Sequence, residues 1–273
     1  MAAISSIKSA GTVTLAAFLM TTQALAGATQ ECPLFNDGFE PGVLFVDQSA
    51  AAGGNGRSWP LAFNDLQDAL AIAYQGQEIW IAAGTYKPVV PEDVNAVTGA
   101  ERGTFFELVS GTRMIGGFAG NECRAADRGS ELTILSGDLA DNDADTDANG
   151  INDSNLEDNS YHVLRADETA IGTSIEDLQI SGGSTTGGSP PDGGGLLQEG
   201  GTLMISNVEF TNNHVSAFGQ GGGLASDGGN LDLFDVSFTA NSALGGGGGL
   251  HVQGPAIVNV ANNTYFNNAS RSE

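Results

Sequence analysis

Between residues 141 and 153 the chain reads Asp-Asn-Asp-Ala-Asp-Thr-Asp-Ala-Asn-Gly-Ile-Asn-Asp. Asp145, Asp147 and Asn149 alternate ahead of Gly150, and Asp153 follows three residues later. Short oxygen-bearing side chains at alternate positions can wrap a hard cation. Calcium takes about six to eight oxygen ligands, and a glycine permits the sharp turn around the ion. We therefore expect Ca2+ on the side chains of Asp145, Asp147, Asn149 and Asp153, with the backbone carbonyl of Ile151 as a further ligand. Unneutralised, these carboxylates would repel one another. The competing reading is a solvated acidic loop.

The loop resembles the Asp-x-Asp-x-Asp/Asn-Gly-x-x-Asp calcium loops of thrombospondin type 3 repeats. It departs from an EF-hand, which needs Glu at the twelfth loop position, where this chain has Leu156. Other metal chemistry is poorly served. His162, His214 and His251 fall in no His-Glu-x-x-His spacing, and His251 stands at the repeat position of Leu197 and Ala225, which suggests a surface place. Cys32 and Cys123 allow a single intramolecular disulfide in an oxidising compartment; two free thiols are the alternative.

The elements that must position these residues are internal repeats. Asn-Val-Glu-Phe-Thr-Asn-Asn at 207–213 is followed by Asp-Val-Ser-Phe-Thr-Ala-Asn at 235–241 and Asn-Asn-Thr-Tyr-Phe-Asn-Asn at 262–268. A degenerate copy lies at 177–183, and Gly-Gly-Gly-Leu recurs, ending at Leu196, Leu224 and Leu250. Leu203 and Ile205 alternate, as do Val208 and Phe210, with the phase shifted by one at Asn207. Alternation marks half-buried strands, and a phase shift at Asn or Asp marks a corner, where those residues tolerate the left-handed conformation. One such unit cannot bury its own apolar face, but stacked units share a continuous core. The reading is all-β: a right-handed parallel β-helix. Phe210, Phe238 and Tyr265 should stack, and Asn213, Asn241 and Asn268 should form an amide ladder. A β-propeller blade would need four strands and a longer repeat of about 40 residues. Residues 64–73 place Leu66, Leu70 and Ala73 at helical spacing and supply the amino-terminal cap that a solenoid needs. Residues 78–86 follow as the first strongly apolar strand.

Composition sets the address and excludes some partners. Lys8, the apolar run 11–20 and Ala24-Leu25-Ala26 form a signal peptide cleaved after Ala26. That run is too short to span a bilayer, which takes about 20 residues. The expected organisation is a signal peptide at 1–26, a linker at 27–42, the cap and first coils at 43–137, an acidic insertion at 138–160 and glycine-rich coils at 161–273. Nine Lys and Arg against 33 Asp and Glu give a formal charge of −24. Such a surface repels nucleic acid, because phosphate binding needs basic residues.

These motifs resemble the right-handed β-helix proteins of the pectin-lyase-like class, and within it the repeats of polymorphic outer-membrane proteins. Those repeats combine Phe-x-x-Asn with Gly-Gly-Ala/Gly-Ile/Leu. Phe210 to Asn213 and Phe238 to Asn241 match the first motif; Gly222 to Leu224 and Gly248 to Leu250 match the second. Phe45-Val46-Asp47, Gly56 to Trp59 and Ile81 to Tyr86 are similar to the opening of bacterial secreted β-helix proteins. The resemblance implies an exported protein, extracellular or on the outer-membrane surface, serving as an adhesion or interaction passenger for a glycan or protein ligand. Separately, no capping segment follows the repeat that ends at Asn268, so end-to-end self-association through that coil is expected. The alternative the resemblance implies is a polysaccharide lyase or glycoside hydrolase acting on acidic polysaccharide. A lyase base on this fold is typically Arg or Lys, and residues 166–270 contain neither. A glycosidase needs two carboxylates facing one bond; Asp227, Asp232 and Asp235 are available.

Overall fold

The computed structural model describes residues 42–186, 192–216 and 218–270. The expected signal peptide, Cys32 and all but the last residue of the linker lie outside the described residues. No described helix is long and apolar enough to cross a membrane.

The chain opens with β1 (Val43–Val46), a short 3-10 turn at Trp59–Leu61 and helix α1 (Leu66–Ile72). Asp65 caps α1 by accepting from Gln67 N–H, and Leu66, Ala69 and Leu70 bury one face against the core. The helix therefore seals the first coil, as the spacing required. The apolar run 78–86 is not one strand. It forms β2 (Glu78–Ala82) and β3 (Gly84–Tyr86), broken where Gly84 adopts a φ of 153°. Then come helix α2 (Gly99–Arg102), β4 (Phe106–Glu107), β5 (Arg113–Phe118), β6 (Thr133–Ser136), β7 (Leu164–Ala166) and β8 (Ile171–Ser181). The glycine-rich coils contribute β9 (Leu196–Gln198), β10 (Thr202–Thr211), β11 (His214–Val215), β12 (Leu224–Phe234), β13 (Ser237–Thr239) and β14 (Ser242–Ala243). The last coil holds β15 (Leu250–Ala261), β16 (Thr264–Phe266) and β17 (Ala269–Ser270).

All the strand ladders are parallel and join equivalent positions of successive coils. Leu203 pairs with Leu231 and Phe210 with Phe238; Leu231 in turn pairs with Val258, and Phe238 with Tyr265. The chain is a parallel β-helix. Asp177, Asn207, Asp235 and Asn262 turn one corner with φ of 51–57°, at the positions where the alternation changes phase. Asn212, Ala240 and Asn267 turn the next, with φ of 52–56°.

The main core is a column running through the coils, and a second buried cluster gathers Phe45, Trp59, Trp80, Ile115 and Phe118. Leu203, Ile205, Val208 and Phe210 are buried above Leu231, Leu233, Val236 and Phe238. Phe210 and Phe238 stack at 5.1 Å and 8°, and Phe238 and Tyr265 at 5.1 Å and 6°. The glycine triplets serve packing as well as turning. In the triplet 221–223 only Gly221 has a positive φ. A Cβ on Gly223 would lie 2.7 Å from Gly249 O and 2.9 Å from Phe238 Cδ1, so its bare backbone lets the coils close beside the aromatic stack.

Candidate functional site

The insertion between β6 and β7 folds back along the coils. The carbonyl of Asn149 accepts from Asn267 Nδ2 at 2.7 Å, and Asn152 N–H donates to Asn212 Oδ1 at 3.2 Å. The acidic loop is thus docked on one corner of the solenoid, across three coils.

Within it, one carboxylate oxygen from each of Asp145, Asp147 and Asp153 lies within 4.8 Å of the other two. Calcium–oxygen distances of about 2.3–2.6 Å are compatible with that spacing. Backbone amides wrap these carboxylates: Gly150 N–H reaches Asp145 Oδ2 at 2.6 Å, and Asn149 N–H reaches Asp147 Oδ1 at 3.2 Å. Thr146 adds N–H and hydroxyl bonds to Asp153. Three of the expected ligands are gathered. Asn149 Oδ1 accepts from Ile151 N–H at 2.8 Å.

A second cluster at the root of the insertion escaped the sequence reading. Asp138, Asp143 and Asp158 also bring one carboxylate oxygen each within 4.8 Å of one another. Burial, with help from the charges of Asp138 and Asp158, pushes the Asp143 carboxyl up to about 7. The faint signal in sequence was the position of Asp138 and Asp158 at either end of the acidic stretch.

Beside this root runs a polar groove on the outer sheet face. A cleft of about 290 Å³ is lined by Asp138, Asp143, Gln179, Ser181, Thr211 and Asn212. A neighbouring cleft of about 350 Å³ is lined in part by Glu131, Asp177, Gln179, Asn207, Glu209 and Asp235. The two share Gln179 and follow the stacked corner residues. Several of its groups are already bonded to neighbouring side chains. Arg128 Nε donates to Asp177 Oδ2 at 2.6 Å, Asn207 Nδ2 donates to Asp177 Oδ1, and Gln179 Nε2 donates to Glu209 Oε2 at 2.9 Å.

Most of the other described basic groups are engaged as well, Arg57 excepted. Lys87, Arg113, Arg124 and Arg165 each pair with carboxylates. Arg102 spends Nε and Nη2 on the carbonyls of Leu156, Asn159 and Ser184. Of the candidate glycosidase acids, Asp227 and Asp232 lie on β12 on either side of the Gly228-Gly229 corner, Asp232 bonded to Asn259, and only Asp235 lines the groove.

His162 is buried and donates from Nδ1 to Gly193 O at 2.9 Å, and burial lowers its pKa. His214 meets Ser242 Oγ at 2.7 Å. His251 is half-buried, with its Nε2 shielded from solvent, in the column where Leu197 and Ala225 are buried. Cys123 lies in the half-buried loop after β5; with Cys32 outside the described residues, their pairing stays a proposal.

No protein-family model matches the chain, and no curated protein sequence matches it. Among solved structures the chain is similar to a crystal structure of pectate lyase Pel9A, at 10% identity and a TM-score of 0.44. The match covers 75% of this chain and 50% of that one, so the chain spans about half the length of the solved structure it matches.

Proposed function

We propose that this is an exported, non-catalytic β-helix module that binds an extracellular glycan or protein along its polar groove. The observation that carries the reading is the pairing of two groove carboxylates: Asp177 is tied to Arg128, and Glu209 to Gln179. A base or acid must be available to a substrate proton, whereas side chains that hold one another present a preorganised polar surface. An acidic polysaccharide would also meet Glu131, Asp177, Glu209 and Asp235, which weighs against the lyase alternative. The Phe-x-x-Asn and Gly-Gly-Leu pattern supports kinship with outer-membrane-protein repeats and a place on the cell surface or outside it. The gathered carboxylates of Asp145, Asp147 and Asp153 support a structural Ca2+ that fixes the insertion over the coils. A Cys32–Cys123 disulfide, in this reading, ties the amino-terminal segment to the first coils.

The test is a glycan array on the mature chain run alongside assays for release of unsaturated or reducing sugar ends. Saturable binding without turnover, weakened by Glu209→Lys, is the expected result. Steady turnover of a polysaccharide would overturn the reading in favour of the enzyme.

A further inference from the structure

The root of the insertion holds carboxylate oxygens that the protein leaves without donors. Asp138 has both oxygens engaged, Oδ1 by Asn142 N–H at 3.1 Å and Oδ2 by Asp143 N–H at 3.2 Å. Asp158 Oδ2 accepts from Asn142 Nδ2 at 2.6 Å, and Asp143 Oδ2 from Asn159 Nδ2 at 2.9 Å. The remaining oxygens, Asp143 Oδ1 and Asp158 Oδ1, are shielded from solvent and accept no hydrogen bond. Two shielded, unpartnered carboxylate oxygens are costly unless something positive meets them.

A separate observation comes from Asn159. Its side chain is 0% exposed, yet its Oδ1 has no partner. The amide lies at the cluster, its Nδ2 bonded to Asp143 Oδ2, and its oxygen, on the same carbon, meets no donor. A fully buried amide oxygen is normally satisfied. The nearby cations do not fill the role: Lys87 pairs with Asp141 at 2.7 Å, and Arg102 is committed to backbone carbonyls.

We propose that Asp138, Asp143 and Asp158, with the amide oxygen of Asn159, form a second cation site that takes a hard divalent ion and clamps the neck of the insertion. The all-oxygen donor set selects such an ion over a soft metal. Asp138 follows β6, and Asp158 ends the 3-10 turn Leu156–Asp158. One ion bridging them would close the insertion at its base, beside the groove. The site is independent of the distal loop around Asp145 and Asp147.

Calorimetric titration of the chelator-treated full chain with calcium chloride tests this. Two saturable events are expected. Asp158→Asn or Asp143→Asn should weaken one of them by roughly tenfold or more, because affinity follows ligand charge, and leave the other. Asp147→Asn should do the converse. Thermal melts guard against a misfolded variant: in chelator, Asp158→Asn should melt no lower than the wild type, since it relieves repulsion, and its calcium-induced rise in Tm should be smaller. A single event abolished by Asp158→Asn alone would keep the root site and remove the distal one. Titrations and Tm shifts unchanged in both Asp158→Asn and Asp143→Asn, or no saturable binding at all, would overturn the proposal.

Discussion

Asn213 Nδ2 donates to Asn241 Oδ1 at 3.0 Å, and both side chains are 0% exposed. Asn241 repeats the bond one coil on, to Asn268 Oδ1 at 2.9 Å, and its Nδ2 also reaches Phe210 O. Each rung thus satisfies an amide and a strand-end carbonyl that burial would otherwise leave bare. Asn241→Leu should cost about 1–3 kcal/mol, the penalty for orphaned buried polar groups. Asn230→Leu is the control: Asn230 is exposed, and the bonds it makes run through its backbone. Equal denaturation midpoints for the two variants would contradict this account of the ladder.

Gly223 should tolerate no side chain. With 2.7 Å to Gly249 O and 2.9 Å to Phe238 Cδ1, an alanine Cβ must push two coils apart. Gly223→Ala is expected to destabilise by about 1–3 kcal/mol, as overpacking does. Gly129→Ala, whose Cβ would meet nothing closer than 4.0 Å, should be near neutral by comparison. Urea denaturation of the pair measures the difference.

His162 should withdraw stability on mild acidification, opposite in sign to Asp143, whose raised pKa favours the folded chain there. Burial, the largest cause, lowers the His162 pKa below the ordinary 6.5 in the folded chain. Above about pH 6.5 the ring is neutral in both states and its contribution is intact. As the pH falls from there through the folded pKa, the unfolded chain takes up a proton that the folded chain resists, and stability is lost. His162→Gln should flatten this part of the pH profile, while its stability at pH ~8 reports the separate cost of altering the bond to Gly193. A profile that is equally steep in both proteins would count against His162 as the source.

The last described coil exposes part of its apolar column. Val260 and Tyr265, which continue the inward rows of Leu233 and Phe238, are 59% and 53% exposed. Unpaired strand edges template pairing with another chain. We expect concentration-dependent association of the mature chain through this edge, seen by light scattering and reduced by Val260→Lys with Tyr265→Lys. A monomer at all concentrations would refute it.

The sequence by itself determined the solenoid. Stacking places like residues over like, so Phe210, Phe238 and Tyr265, or Asn213, Asn241 and Asn268, declare their register by recurrence alone. The phase shifts at Asp177, Asn207 and Asp235 marked real corners because left-handed backbone favours just those residue types. Where the local rule was broken it was silent: Ala240 turns a corner at φ 56° with neither Asn nor Gly to announce it. Gly84 likewise split an apolar run that alternation could not divide. The distal acidic loop was legible because its carboxylates are close along the chain. The root cluster was not, because Asp138, Asp143 and Asp158 meet only when the insertion folds back on its own base. Nor does spacing along the chain tell which coil an insertion will cover. That was decided in three dimensions, where Asn212 and Asn267, on coils far from residue 149 in sequence, offered the side chains that hold the loop in place.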